Sequence, residues 1–341
     1  MKVILDHLTS FSLAHGGVQV QIEQTKLALE RAQIEVEFGR WWDANQQADI
    51  IHCFGSTPNS YLHLARQKRI PVVLTSFFSE SCNRSDLNLT VQGIITRALL
   101  AVPGWGSIKT QLHWQTHNNA ARVIVGTQAE HRVLRTVYGV PESKISVVPL
   151  GLDQIYLTSE FLRQPGDHLI SVGTIRDVKR SVELAQLARN AEVPILFIGN
   201  PYSFRDPYWQ RFQSLIDNKF VLHKSHIGNS GELKNLLLSA RGFILYSQYE
   251  NWSLAAHEAA ACGLPLLLPD MKWSRECFAD QALYFSPTHT ETHTVELKNF
   301  YISALELSAP EIEQHSWDNV AARLANIYRE VLGRSGIEAS S

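Results

Sequence analysis

The sequence predicts a two-domain α/β protein with parallel sheets, and three observations lead there. Short apolar runs alternate with amphipathic helical stretches from Lys2 onward, the pattern of βαβ units. The alternation starts afresh at His168, after a more polar stretch. At 341 residues, the chain has room for two ordinary domains.

The elements follow in order. Residues 2–5 read as a short strand, and His15-Gly16-Gly17 as the turn into an amphipathic helix at about 18–31. Paired glycines at a strand-to-helix turn let backbone approach a phosphate or sugar closely. A second strand spans 34–38, and Trp41-Trp42-Asp43 follows it. Adjacent tryptophans either stack on an acceptor sugar or cap the sheet edge, and capping is the preferred expectation. Strands at 48–52 and 71–75 flank a helix at 61–68. Residues 94–102 are apolar except for Arg97. With only Arg97 and Lys109 as a basic flank, a core helix or acceptor lid is expected there in preference to a membrane-facing helix. A strand at 121–127, a helix at 129–138 and a strand at 145–148 complete the first half, with a hinge at about 152–166.

The second half opens on a strand at 168–172, followed by Gly173-Thr174-Ile175-Arg176-Asp177-Val178-Lys179 leading into a helix. Further strands are expected at 194–199 and 220–224, a helix at 232–240 and an apolar run at 242–245. The polar, aromatic stretch 202–211 receives no assignment. A last amphipathic helix is expected at about 317–331.

Composition narrows the function. A net charge of −2 without long like-charge runs argues against nucleic acid as the main partner. The four cysteines show no metal-ligand spacing and are expected to stay reduced in the cytosol. The opening MKVILDHL reads as a strand rather than a leader. No apolar run approaches the roughly 20 residues of a membrane span, and no Asp-x-Asp occurs.

The most informative stretch is 249–269, YENWSLAAHEAAACGLPLLLP. Ser253 is a candidate N-cap for a helix at 254–261, Gly263 and Pro265 stop it, and 266–268 form a strand with no polar face. Glu250 and Glu258 therefore bracket the N-terminus of a helix that follows a strand, where open α/β sheets bind ligands. The helix N–H groups there suit an anion, and a carboxylate accepts two hydroxyls at once, as in a ribose diol or a pyranose edge. An isolated pair of glutamates is ordinarily just solvated surface; the whole stretch speaks against that.

Glu250, seven residues, Glu258 and then Ala-Ala-Ala-Cys-Gly-Leu-Pro resemble the signature of family-4 retaining glycosyltransferases. That family has the GT-B fold: two Rossmann-like doubly wound domains facing an interdomain cleft, with a C-terminal helix crossing back to the first. The resemblance implies an acceptor-side domain at 1–155, joined by the helix region 317–341, and a donor domain at 156–316. It implies that Glu258 holds the nucleotide ribose and that Glu250 contacts the donor sugar. The backbone of Asn251, Trp252, Ser253 and Leu254 would face the diphosphate. Gly173 and Lys179 match the family's phosphate loop. Thr174 replaces its arginine, so Arg176 or Arg180 is expected to restore a second cation. His223 lies at the strand end where the donor base rests. On the acceptor side, Gly16 and Gly17 match a glycine pair lining the cleft. Phe77 stands where many members carry a histidine, and Glu80 is expected to reach the same cleft. Asn251-Trp252-Ser253 replaces Gly-Phe-Gly, and Lys272-Trp273 replaces a glycine pair, which would put a tryptophan beside the donor pocket.

The implied activity is a retaining, metal-independent hexosyltransferase. It would move sugar from a nucleotide-diphosphate sugar to a glycan, lipid-linked or other hydroxyl acceptor, with no cofactor beyond the donor. The expected location is cytoplasmic, with peripheral association at the inner membrane face. The alternative is an inactive GT-B partner subunit that binds nucleotide sugar or glycan, suggested by Phe77, Thr174 and Lys272-Trp273.

Overall fold

The computed structural model describes residues 1–14, 16–102, 115–158 and 163–338. His15, Lys109 and part of the expected hinge lie outside the described residues. Six strands build the first sheet: β1 (Lys2–His7), β2 (Glu35–Phe38), β3 (Ile50–Phe54), β4 (Val72–Thr75), β5 (Arg122–Val125) and β6 (Ile145–Val147). Their order is β2-β1-β3-β4-β5-β6, and every pairing is parallel. The second sheet holds β7 (Leu169–Val172), β8 (Ile195–Ile198), β9 (Val221–Lys224), β10 (Gly242–Ile244), β11 (Leu266–Pro269) and β12 (Leu283–Phe285). It runs β12-β11-β10-β7-β8-β9, again all parallel. Contacts divide the chain into two units. One comprises Met1–Phe11, Val18–Gly151 and Trp317–Ser341, the other Ser12–Gly17 and Leu152–Ser316.

The all-apolar central strands follow from burial on two faces. In β8, Ile195 and Phe197 join one core cluster while Leu196 and Ile198 join another on the opposite face. A strand covered on both sides cannot alternate with polar residues. Each such side chain contributes roughly 1.5–3 kcal/mol by leaving water. The helix Trp317–Glu338 belongs to the first unit. The Tyr328 hydroxyl lies 2.6 Å from His52 Nδ1, and His52 Nε2 lies 2.7 Å from Thr75 Oγ1. Burial drives the His52 pKa down to about 3, so the imidazole stays neutral within this buried chain of bonds. Arg31 to Asp318 and Arg122 to Glu330, both at 2.6 Å, fasten the same helix from the outside.

Two expectations need correction, and one unassigned stretch gains a place. Of the two alternatives expected for helix α3 (Asp86–Ala101), core helix or acceptor lid, the first fails. Its buried residues are Leu89, Gly93 and Thr96, while Leu87, Val91, Ile94 and Ile95 face outward. The reason is close approach: a Cβ on Gly93 would overlap the Thr136 carbonyl, so the small face of the helix packs and the bulky one does not. Trp41 and Trp42 do not cap the sheet edge, being 92% and 68% exposed. The unassigned stretch 202–211 is partly core. Asp206 caps a helix at Pro207–Gln213, and its Tyr208, Trp209 and Phe212 are buried.

Candidate functional site

The strand ends of the second sheet gather most of the residues singled out on the donor side. The β7 loop carries Gly173 and ends in a single 3₁₀ turn, Asp177–Lys179. Arg180, at φ 51°, reverses the chain into the helix Ser181–Ala191. The β10 loop carries Ser247 to Ser253 into the helix Leu254–Ala261. The two loops are tied by backbone, Gln248 N donating to Val178 O at 2.7 Å. They are tied again by an ion pair between Lys179 Nζ and Glu250 Oε1. The Ser247 hydroxyl donates to that same oxygen at 3.1 Å. Glu250 is buried and Lys179 half-buried. In such a setting, removing one partner leaves the other charge uncompensated, which typically costs about 3–5 kcal/mol.

Ser253 caps the following helix, its hydroxyl accepting from Ala256 N at 3.3 Å, and satisfies one of the N–H groups that a helix start leaves without a helical partner. Gly263, at φ 76°, closes the other end and releases the chain into β11. Where Asn251-Trp252-Ser253 departs from Gly-Phe-Gly, the structure supplies a local brace. Trp252 stacks on His257 with ring centroids 3.5 Å apart and planes at 8°. His257 is buried, Nδ1–H donates to Ser253 O at 2.8 Å, and burial lowers its pKa to about 3. A neutral imidazole thus clamps both the indole and the cap. His257 escaped the sequence reading; its place directly before Glu258, on a helix otherwise of apolar and acidic residues, was the available signal.

Glu258 is half-buried: water still reaches it, yet protein surrounds its carboxyl closely. Desolvation, with a smaller contribution from the Asp153 charge, pushes its pKa up to about 8. Asp153 itself caps the short helix Gln154–Leu157 and accepts from Ser230 Oγ at 3.1 Å. Glu258 is a recessed carboxyl that is largely neutral near pH 7, on the helix whose N-terminus carries Ser253.

The other expected residues fall out as follows. Arg176 donates to the Tyr202 hydroxyl at 3.2 Å and lies 5.1 Å over its ring. Arg180 lies 4.4 Å over Tyr246. Neither makes an ion pair with Glu250 among the described contacts. His223 Nε2–H donates to Gly199 O at 2.9 Å. Gly199 in turn sits so close to Gly173 that a Cβ would overlap the Gly173 carbonyl, so His223, Gly199 and Gly173 form one tight run of backbone across β9, β8 and β7. A Cβ on Gly16 would stand 3.2 Å from Thr174 Oγ1, whereas one on Gly17 would meet nothing. Phe77 is half-buried beside Gly55, and Glu80 is ion-paired with Arg84 on its own turn. Trp273 corrects the expectation of a tryptophan lining the pocket: it is fully buried in the core beneath, edge-on to Phe278. A helix built from Lys272 to Phe278 turns that side inward.

The profile described as Glycosyltransferase Family 4 matches residues 36–154, and that described as Glycosyl transferases group 1 matches residues 159–301. The chain is 25% identical over 242 residues to a D-inositol 3-phosphate glycosyltransferase of Paenarthrobacter aurescens, a match covering 63% of this chain and 59% of the relative. It is 20% identical over 161 residues to the O-antigen chain mannosyltransferase B of Escherichia coli, covering 46% and 42%. The matches thus span about half the length of these curated relatives. Among solved structures, the fold resembles a sucrose-phosphate synthase from Thermosynechococcus elongatus, with a TM-score of 0.68, 15% identity and coverage of 98% and 100%. It also resembles the Anabaena protein HepE solved with UDP-glucose, with a TM-score of 0.60, 14% identity and 99% coverage of each chain.

The raised Glu258 pKa makes a stability prediction. A carboxyl at about 8 when folded against 4.5 in the reference state keeps its full contribution below about 4.5 and loses it as pH rises towards 8. Glu258→Gln has no proton to lose. It should therefore be more stable than wild type at pH 8–9, by on the order of 4–5 kcal/mol, and lose most of that advantage near pH 5. Urea unfolding at several pH values measures this; parallel wild-type and variant curves would show that the carboxyl is not desolvated.

Proposed function

Because the chain belongs to the family-4 glycosyltransferases and has the GT-B fold, we propose that it transfers a sugar from a nucleoside-diphosphate sugar to a hydroxyl acceptor with retention of configuration. The observation that carries this reading is the pairing of Lys179 with Glu250 across two strand-end loops, beside the N-terminus of the helix that bears Glu258. A diphosphate entering there exchanges places with Glu250 on Lys179 and takes N–H donors from Asn251 to Leu254. Glu250, released from the ammonium, then accepts hydroxyls of the donor sugar. The Glu258 carboxyl receives the ribose hydroxyls. The diphosphate leaving group is stabilised by a fixed cation and fixed dipoles, the kind of preorganised electrostatics that lowers such barriers. On this reading no metal ion is required. Gly173 and His223 set the floor under the nucleotide, and Arg176 is the outer cation. The HepE structure, solved with UDP-glucose, supports a donor of this class.

On the first unit, Phe77 and Glu80 are assigned to the acceptor side, and on the second Gly16 and Gly17, with Gly16 next to Thr174. The outward aliphatic face of α3 supports peripheral contact with the cytoplasmic face of a membrane and hence a lipid-linked acceptor; flotation with phosphatidylglycerol vesicles, lost in Ile94→Glu, is the check. No helix among the described residues is long and apolar enough to cross a membrane.

The primary experiment is calorimetry with a panel of nucleoside diphosphates, followed by product release from the matching sugar nucleotide. Glu258→Ala should weaken nucleotide binding by roughly 0.5–1.5 kcal/mol for each hydrogen bond lost from the neutral carboxyl while remaining folded, and wild-type turnover should survive EDTA. An unchanged dissociation constant in the variant removes Glu258 from the site. Loss of turnover in EDTA, restored by Mn²⁺, overturns the metal-free reading. Time-resolved NMR of the sugar first released by donor hydrolysis reports the anomer, and an inverted anomer contradicts retention.

A further inference from the structure

Trp41 and Trp42 stay 92% and 68% exposed in a loop that is otherwise fully braced. They occupy the two corner positions of a β-turn closed by Asp43 N donating to Arg40 O at 2.9 Å. The Arg40 guanidinium clamps the base of that turn, bonding Asp43 at 2.9 Å and Glu37 at 2.8 Å. Gln46 threads the rest. Its Oε1 accepts from Arg40 N at 2.8 Å, and its Nε2 donates to Glu37 at 2.8 Å and Phe38 O at 2.9 Å. Asp43 Oδ1 also accepts from Asn45 N at 3.0 Å. The backbone is held while, among the described residues, the ring contact of the two indoles is with each other, edge to face at 5.7 Å.

Neither stability nor turn chemistry asks for tryptophan here. Turn corners favour Pro, Asp, Asn and Gly, and an indole left in water forgoes a burial of roughly 150–250 Å². Rigid aromatic rings presented on a fixed turn are what stacking recognition uses, because little side-chain freedom is lost on binding. The loop also starts beside the carboxyl end of β1. Gly39 lies against Asp6, where a Cβ would stand 3.1 Å from Oδ1. Asp6 lies next to the last residue of β1 and accepts from the Tyr61 hydroxyl at 2.6 Å. Asp6, His7, Leu8, Phe54, Thr57 and Tyr61 meet at the carboxyl ends of β1 and β3. That is where the strand order of this sheet reverses and where open α/β sheets take ligands.

We infer that Trp41 and Trp42 form a saccharide platform that grips a neutral pyranose ring of the acceptor. The C–H face of the ring lies on the indoles. The local charge selects this class. Both cations of the corner, Lys2 and Arg40, are already held by Glu35, Glu37 and Asp43, so a phosphate or an anionic bilayer finds no countercharge. Two side chains on one turn are also far short of the roughly 800 Å² per partner of a stable protein interface. The inference rests on the transferase reading and adds the acceptor's chemical class to it.

The test is ¹⁹F NMR of the full chain labelled with 5-fluorotryptophan, with the two resonances assigned through Trp41→Phe and Trp42→Phe. The probes are methyl α-glucoside, methyl α-mannoside, methyl α-galactoside, methyl N-acetylglucosaminide and maltotriose. UDP, GDP, dilution of the protein and, in the Ile94→Glu background that removes the proposed membrane contact, phosphatidylglycerol vesicles serve as controls. At least one saccharide should shift both resonances, while the nucleotides, the vesicles and dilution leave them in place. Trp41→Ala should weaken that saccharide roughly three- to tenfold and leave nucleotide binding unchanged. No shift with any saccharide, or a shift with vesicles or dilution instead, overturns the platform. Nucleotides that bind nowhere while a saccharide still shifts the tryptophans would sink the transferase reading alone.

Discussion

The donor end of the second unit depends on one buried charge being matched by another. Glu250 lies out of water at the end of β10, and Lys179 reaches it from the end of β7. Two separate strand-end loops are thereby forced into one arrangement, reinforced by the Gln248–Val178 backbone bond. In the absence of ligand this pair keeps a carboxylate from standing alone in a protected place. On the proposed reading the same pair makes the site responsive, because a more strongly charged diphosphate would compete for the lysine.

Around that pair, the fold supplies position and the sequence supplies local substitutions for what it lacks. The all-parallel second sheet brings the β7, β8, β9 and β10 ends to one edge. Gly199 lets β8 press against the Gly173 carbonyl, which a side chain would prevent. A Gly-Phe-Gly loop gains its shape from backbone freedom. Asn251-Trp252-Ser253 gains it from packing, through an indole laid flat on a neutral His257 and a serine cap. The two solutions differ in physics and serve the same helix start.

Much of this was legible because apolar runs without polar alternation admit few interpretations. The run at 266–268 read as a doubly covered strand, and it is one; 194–199 read as a strand, and 195–198 forms one. The Ser253 cap and the Gly263 stop were equally readable, since each rests on local backbone chemistry. Exposure was not readable. The α3 aliphatics look like core in sequence, and Trp41-Trp42 like a cap on the sheet edge. Whether they are depends on Gly93 drawing the small face inward and on a salt-bridged turn holding the indoles out. Trp273 misled in the opposite sense, because its orientation is set by which face of Lys272–Phe278 meets the core. The partners of Glu258 and Glu250, namely Asp153, Ser247 and Lys179, lie far apart in sequence or in unremarkable loops. Only Lys179 carried a motif to flag it.

The central claim is that Lys179 changes partner from Glu250 to the donor diphosphate. A double-mutant cycle on nucleoside-diphosphate affinity, by calorimetry on wild type, Lys179→Met, Glu250→Gln and the double variant, tests it most directly. The account predicts that Glu250→Gln alone tightens binding of the bare diphosphate, since the lysine is released, and that Lys179→Met weakens it by about tenfold or more. It also predicts that the gain from Glu250→Gln vanishes when Lys179 is absent. Additive effects of the two substitutions, or an affinity indifferent to Lys179, would contradict it.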